Sequence, residues 1–109
     1  MANIPAASLH AFVQALGQGN QHLYCLAPGT RRWEHHTILT TAEGASLTRH
    51  MACTIGGDYA DCFMVDAPGG SASIYVTNGT SAEGIRNGLV EGLGHIINGY
   101  YTITVSGAA

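Results

Sequence analysis

The chain contains no lysine, and Arg31, Arg32, Arg49 and Arg86 are its four fixed positive charges. Charged residues make up only 10% of the 109, with a formal net charge of -3. Nucleic-acid backbones are held by clustered Lys and Arg that displace counterions, so this composition excludes that role. Long hydrophobic runs are also missing: no stretch approaches the roughly 18 apolar residues of a membrane span. The amino terminus lacks a basic region followed by an apolar run, so no targeting peptide is expected. The three cysteines, Cys25, Cys53 and Cys62, cannot all pair within one chain and match no zinc-ligand spacing. Free thiols in a reducing, cytoplasmic setting are the expectation, with no membrane partner and no cofactor. The glycine-rich turns Gly56-Gly57 and Gly69-Gly70 lack the lysine and the following helix of a phosphate-binding loop.

What is present suffices for one core. A hydrophobic content of 46% over 109 residues predicts a single domain spanning residues 1–109. Sparse charge leaves little to keep copies apart, so a homo-oligomer is expected. A protein partner or a small-molecule ligand is also compatible with this composition.

The periodicities predict an α+β fold. Pro5 followed by Leu9, Phe12, Val13 and Leu16 marks a helix over residues 5–16, ended by Gly17 and Gly19. Strands are expected at 21–27 and 33–40. Runs 47–55 and 59–66 flank Gly56-Gly57-Asp58 and read as a hairpin; 73–77 extends the meander. Thr80 and Glu83 form a capping box for a second helix with an Ile85, Leu89, Leu93, Ile96 stripe, closed by Asn98-Gly99. Residues 100–105 form a last strand. The order is α-β-β-β-β-β-α-β, an antiparallel sheet of five to six strands with both helices on one face.

Several residue groups could carry chemistry. A two-residue Gly57-Asp58 turn, or a four-residue turn from Gly56 to Tyr59, pairs Cys53 with Cys62, Met51 with Met64 and Arg49 with Asp66, which gathers four sulfurs on one face. Such soft ligands select copper(I), and core packing is the alternative use for Met51, Cys53, Cys62 and Met64. A three-residue loop instead sets Cys62 opposite Ala52. A Cys62–His95 pair oriented by Asp61 or Asp66 is the available arrangement for nucleophilic catalysis. Against it, the cysteines fall inside apolar strands, where burial raises a thiol pKa. Arg31, Arg32, Trp33, His35 and His36 cluster in one segment suited to an anionic or aromatic ligand, although consecutive strand residues face opposite ways.

The second helix carries Gly84, Gly88 and Gly92 at four-residue spacing. Each glycine costs about 1 kcal/mol against alanine in a helix interior. Close backbone approach must offset that cost, by the chain's own sheet or by the same helix of a neighbouring subunit.

The segment Ser73-Ile74-Tyr75-Val76-Thr77-Asn78-Gly79-Thr80-Ser81-Ala82-Glu83-Gly84-Ile85 through Leu93 and on to Tyr101-Thr102-Ile103-Thr104-Val105 resembles a strand, Gly-Thr turn, helix and strand module of bacteriophage tail and virion proteins. It covers about a third of the chain by element count, and the amino-terminal helix and the histidine-rich segment have no counterpart in it. The resemblance implies an assembling, non-catalytic role. The expectation is therefore a binding or assembly module that self-associates through a sheet edge or the second helix. A small Cys/His-dependent enzyme, or a ligand- or soft-metal-binding protein, is the alternative.

Overall fold

The computed structural model describes residues 3–18, 26–28 and 34–107. Its elements are α1 (Ala6–Gln18), β1 (His36–Thr40), β2 (Ser46–Arg49), β3 (Cys53–Ile55), β4 (Asp58–Ala67), β5 (Gly70–Thr77), α2 (Ala82–Ile97) and β6 (Thr102–Ser106). The expected order holds, but two strands differ from their prediction. Most of the strand expected at 21–27 lies outside the described residues, and Leu26–Pro28 form no strand. The strand expected at 47–55 is instead two, β2 and β3.

The physical reason for that break is a change of register. β2 pairs with β4 through Leu47↔Val65 and Arg49↔Phe63, whereas β3 pairs through Cys53↔Ala60 and Ile55↔Asp58. Residues 50–52 therefore oppose only residues 61 and 62, a bulge that inserts one extra residue. The connecting turn is Gly56-Gly57, both at positive φ (58° and 89°). That backbone suits the two-residue type I′ turn, whose twist matches the flanking strands. Asp58 thus belongs to β4, and the Gly57-Asp58 turn is corrected.

The sheet runs β1-β2-β4-β5-β6, with β3 also paired to β4. It is mixed rather than wholly antiparallel, because β5 and β6 are parallel. Helix α2 lies between them in the chain and carries it back along the sheet, so the next strand repeats the direction of the last.

Both helices cover one face. From α1, Leu9, Phe12 and Leu16 join Ile85, Leu89, Leu93 and Ile96 of α2 in a cluster with Leu47, Phe63, Val65, Ile74 and Val76 of the sheet. Alternation places Thr48, Met64, Ser73, Tyr75 and Thr77 on the opposite, half-buried face. Helix α1 is tied to the β1–β2 turn by Ser8, whose hydroxyl donates to Glu43 Oε1 at 3.0 Å and lies 3.0 Å from Thr41 Oγ1. The cap of α2 is Ser81 rather than Thr80, with its hydroxyl accepting from the Gly84 N–H at 3.0 Å. At the other end Gly99 (φ 102°) allows the Tyr100 N–H to reach the His95 carbonyl and its own N–H to reach that of Ile96.

Candidate functional site

The hairpin does not assemble the four-sulfur cluster. Cys53 faces Ala60, and the His50 N–H donates to the Cys62 carbonyl, so the thiols are diagonal neighbours rather than a direct pair. Thr48, not Met51, lies opposite Met64, whose sulfur accepts a hydrogen bond from the Ser73 hydroxyl at 3.2 Å. Met51 is 48% exposed in the bulge. Arg49 pairs with Phe63 and not with Asp66. Among the described residues no group of three or more His, Cys, Asp or Glu is arranged to hold a metal ion.

Cys62 is buried and Cys53 half-buried, both as free thiols. Burial, reinforced by a hydrogen bond and the nearby charge of Cys53, pushes the Cys62 thiol from its ordinary 9.0 up to about 12. A raised acid pKa favours the folded state below the unfolded value, and that contribution is lost as pH climbs from 9.0 towards 12. Urea midpoints measured from pH 8 to pH 11 should therefore fall more steeply for the wild type than for Cys62→Ala. Parallel pH profiles for the two proteins would refute the assignment.

A Cys62–His95 catalytic pair is not formed. Asp61, Phe63 and Val65 turn toward the helices, which leaves Cys62 on the other face of β4. His95 projects from α2 with its side chain 47% exposed, 3.9 Å from Glu91 Oε2, and its ring meets Tyr100 edge-on at 6.3 Å. Asp66 is exposed near the far end of β4, between Ser46 and Ser71. Cys62 and His95 thus lie on opposite sides of the sheet, with Asp61 buried on the helix side and Asp66 exposed.

Of the predicted ligand cluster, Arg31, Arg32 and Trp33 lie outside the described residues. His36 opens β1 opposite Arg49, and His35 (φ 61°) packs edge-on against His50 with ring centroids 5.0 Å apart. Beneath this end of the sheet lies a buried ion pair that sequence reasoning missed. Arg49 Nη2 donates to Asp61 Oδ1 at 2.5 Å, with the two side chains 3% and 0% exposed. The same nitrogen donates to the Ala27 carbonyl at 3.1 Å, the Tyr59 hydroxyl donates to Asp61 Oδ1 at 3.2 Å, and the guanidinium stands 5.3 Å from the Phe63 ring centre. This network joins β2, β4 and the segment around Ala27. The burial of the Arg49 and Asp61 side chains gives it a structural character.

The glycine ridge faces inward. A Cβ on Gly88 would stand 2.8 Å from Val76 Cγ1, one on Gly92 2.7 Å from Ile74 Cγ2, and one on Gly84 would strike the Gly107 carbonyl. Gly84, Gly88 and Gly92 are therefore occupied by the chain's own β5 and the end of β6, and the reading of this ridge as an intersubunit surface is corrected. On the outer side of the helices, Val13, Gly17, Arg86, Asn87 and Val90 line an open groove of about 330 Å³. Arg86 there is engaged by Asn87 at 3.1 Å and by Glu83 at 3.7 Å.

The two ends of the sheet remain. At one end, β1 carries a register irregularity between Thr37 and Leu39. At the other end β6 is regular. The Ser73 N–H donates to the Tyr101 carbonyl and the Gly107 N–H to the Thr77 carbonyl, so odd-numbered residues turn their main chain toward β5. The N–H and C=O of Thr102 and Thr104 consequently point off the edge. The strand Thr102–Ser106 has no charge, no proline and no bulge, the devices that normally guard an edge. Tyr100 and Tyr101, 63% and 46% exposed, stand immediately before it. Of Tyr101, Ile103 and Val105, which alternate along this last segment, only the latter two are buried. The uncharged, β-branched run following a helix was the available signal.

Compared with protein-family models, curated proteins and solved structures, the chain shows no match.

Proposed function

We propose that this chain is a non-enzymatic assembly module, of phage or mobile-element origin, that self-associates through an edge of its sheet. The β6 edge carries the reading: the main-chain donors and acceptors of Thr102 and Thr104 point outward beside two exposed tyrosines. Sparse charge supports it, since copies with a net charge of -3 repel one another weakly. The placement of Cys62 and His95 on opposite sides of the sheet supports the non-enzymatic reading over a Cys62–His95 pair oriented by Asp61 or Asp66. The phage or mobile-element origin rests on the resemblance of residues 73–105. Light scattering on untagged protein across a dilution series should give a defined oligomer. A monomer at every concentration would overturn the proposal.

The side-chain hydrogen bond between the diagonal thiols of Cys53 and Cys62 supports a second reading, a soft cation such as copper(I) held by both sulfurs in place of their protons. Protein purified without chelator would then carry stoichiometric metal. Absence of copper and zinc in elemental analysis eliminates this reading.

A further inference from the structure

The sequence of β6 is close to a palindrome about Thr104: Thr102 answers Ser106, and Ile103 answers Val105. Two copies of such a strand, run antiparallel about Thr104, set hydroxyl against hydroxyl and β-branched side chain against β-branched side chain. Both are favourable cross-strand pairs. We propose that a second copy of this chain pairs its β6 with this one, antiparallel and centred on Thr104, so that two sheets become one. The inference rests on the assembly reading above and deepens it by naming the partner, the register and the symmetry.

Two further features fit this arrangement. The outward N–H and C=O of Thr104 meet those of its symmetry mate, which makes the central pair a hydrogen-bonded one. A two-fold axis perpendicular to the sheet keeps both helix layers on one side, so Ile103 and Val105, 7% and 5% exposed in the single chain, meet Val105 and Ile103 of the other copy along the core face. The opposite edge is a poorer partner, since the irregularity in β1 interrupts its row of main-chain groups. An isologous contact of this kind closes on itself, so growth through β6 stops at two.

Cysteine cross-linking reads the register directly. Hydrogen-bonded antiparallel pairs hold Cα atoms about 5.5 Å apart, within disulfide reach. Under oxidised glutathione, Thr104→Cys should form a covalent dimer well beyond the level of the parent protein. Thr102→Cys and Ser106→Cys should each fail alone and cross-link when mixed. Light scattering on the same samples separates the possible failures. A dimer that Thr104→Cys does not cross-link overturns the register and leaves the assembly reading standing; a monomer throughout overturns both. As a measurement without cysteine, Thr104→Lys should convert dimer to monomer, while Thr37→Lys on β1 should leave the dimer intact. The reverse pattern would assign the contact to the other edge.

Discussion

Gly88→Leu should lower stability by about 3 kcal/mol, at the upper end for overpacking a close-packed site. For a domain of this size that corresponds to a drop of roughly 10–20 °C in thermal midpoint. The cause is local and steric. The first added carbon already stands 2.8 Å from Val76 Cγ1 and 3.4 Å from Val105 Cγ2. Those side chains belong to the interior of β5 and β6 and have little room to yield. Gly92→Leu should behave alike against Ile74. Gly94 supplies the control, since nothing stands within 4 Å of a Cβ there. Gly94→Ala should raise stability by about 0.5–1 kcal/mol, the ordinary helix preference for alanine. Calorimetry on the three variants tests the assignment. Equal effects at positions 88 and 94 would contradict the inward-facing ridge.

Asp61→Leu should cost about 3–5 kcal/mol, because it strands the Arg49 guanidinium without its carboxylate in a buried site. Arg49 and Asp61 are 3% and 0% exposed, so water cannot replace the lost partner without opening the sheet. The double variant Arg49→Met/Asp61→Leu should recover most of that loss, since apolar side chains fill the space without a desolvation cost. Urea denaturation of the four proteins gives the coupling energy. Additive single effects would show that the pair does not act as a unit. The network also ties the Ala27 carbonyl to β2, so proteolysis of the segment around Ala27 should accelerate in Arg49→Met.

The elements with strong periodicity were legible before any coordinates. The Leu9, Phe12, Leu16 and Ile85, Leu89, Leu93, Ile96 stripes each place one helix face in the core, because a helix must bury what repeats on one side. The Gly56-Gly57 hairpin was legible in kind but not in register. Choosing which two of three consecutive turn residues form the loop shifts the pairing of every following residue, and the bulge at 50–52 shifts it again. The four-sulfur and Arg49–Asp66 pairings failed for that reason. Cys62 and His95 failed differently: chain order says nothing about which side of a sheet a side chain leaves. The tyrosine-flanked edge could have been suspected from an uncharged final strand, but its place at the end of the sheet depends on every other pairing.

By itself the sequence determined the α+β class, one core, the two amphipathic helices and a chain with four arginines and no lysine. These follow from composition and from periodicities local to each segment. Tertiary structure alone decided that β6 runs parallel to β5 at the sheet's end, that the glycine ridge seats against the chain's own strands, and that Arg49 meets Asp61 in the interior. Those are relations between residues far apart in the chain, fixed by which faces must be buried together and by a one-residue bulge that local sequence does not specify.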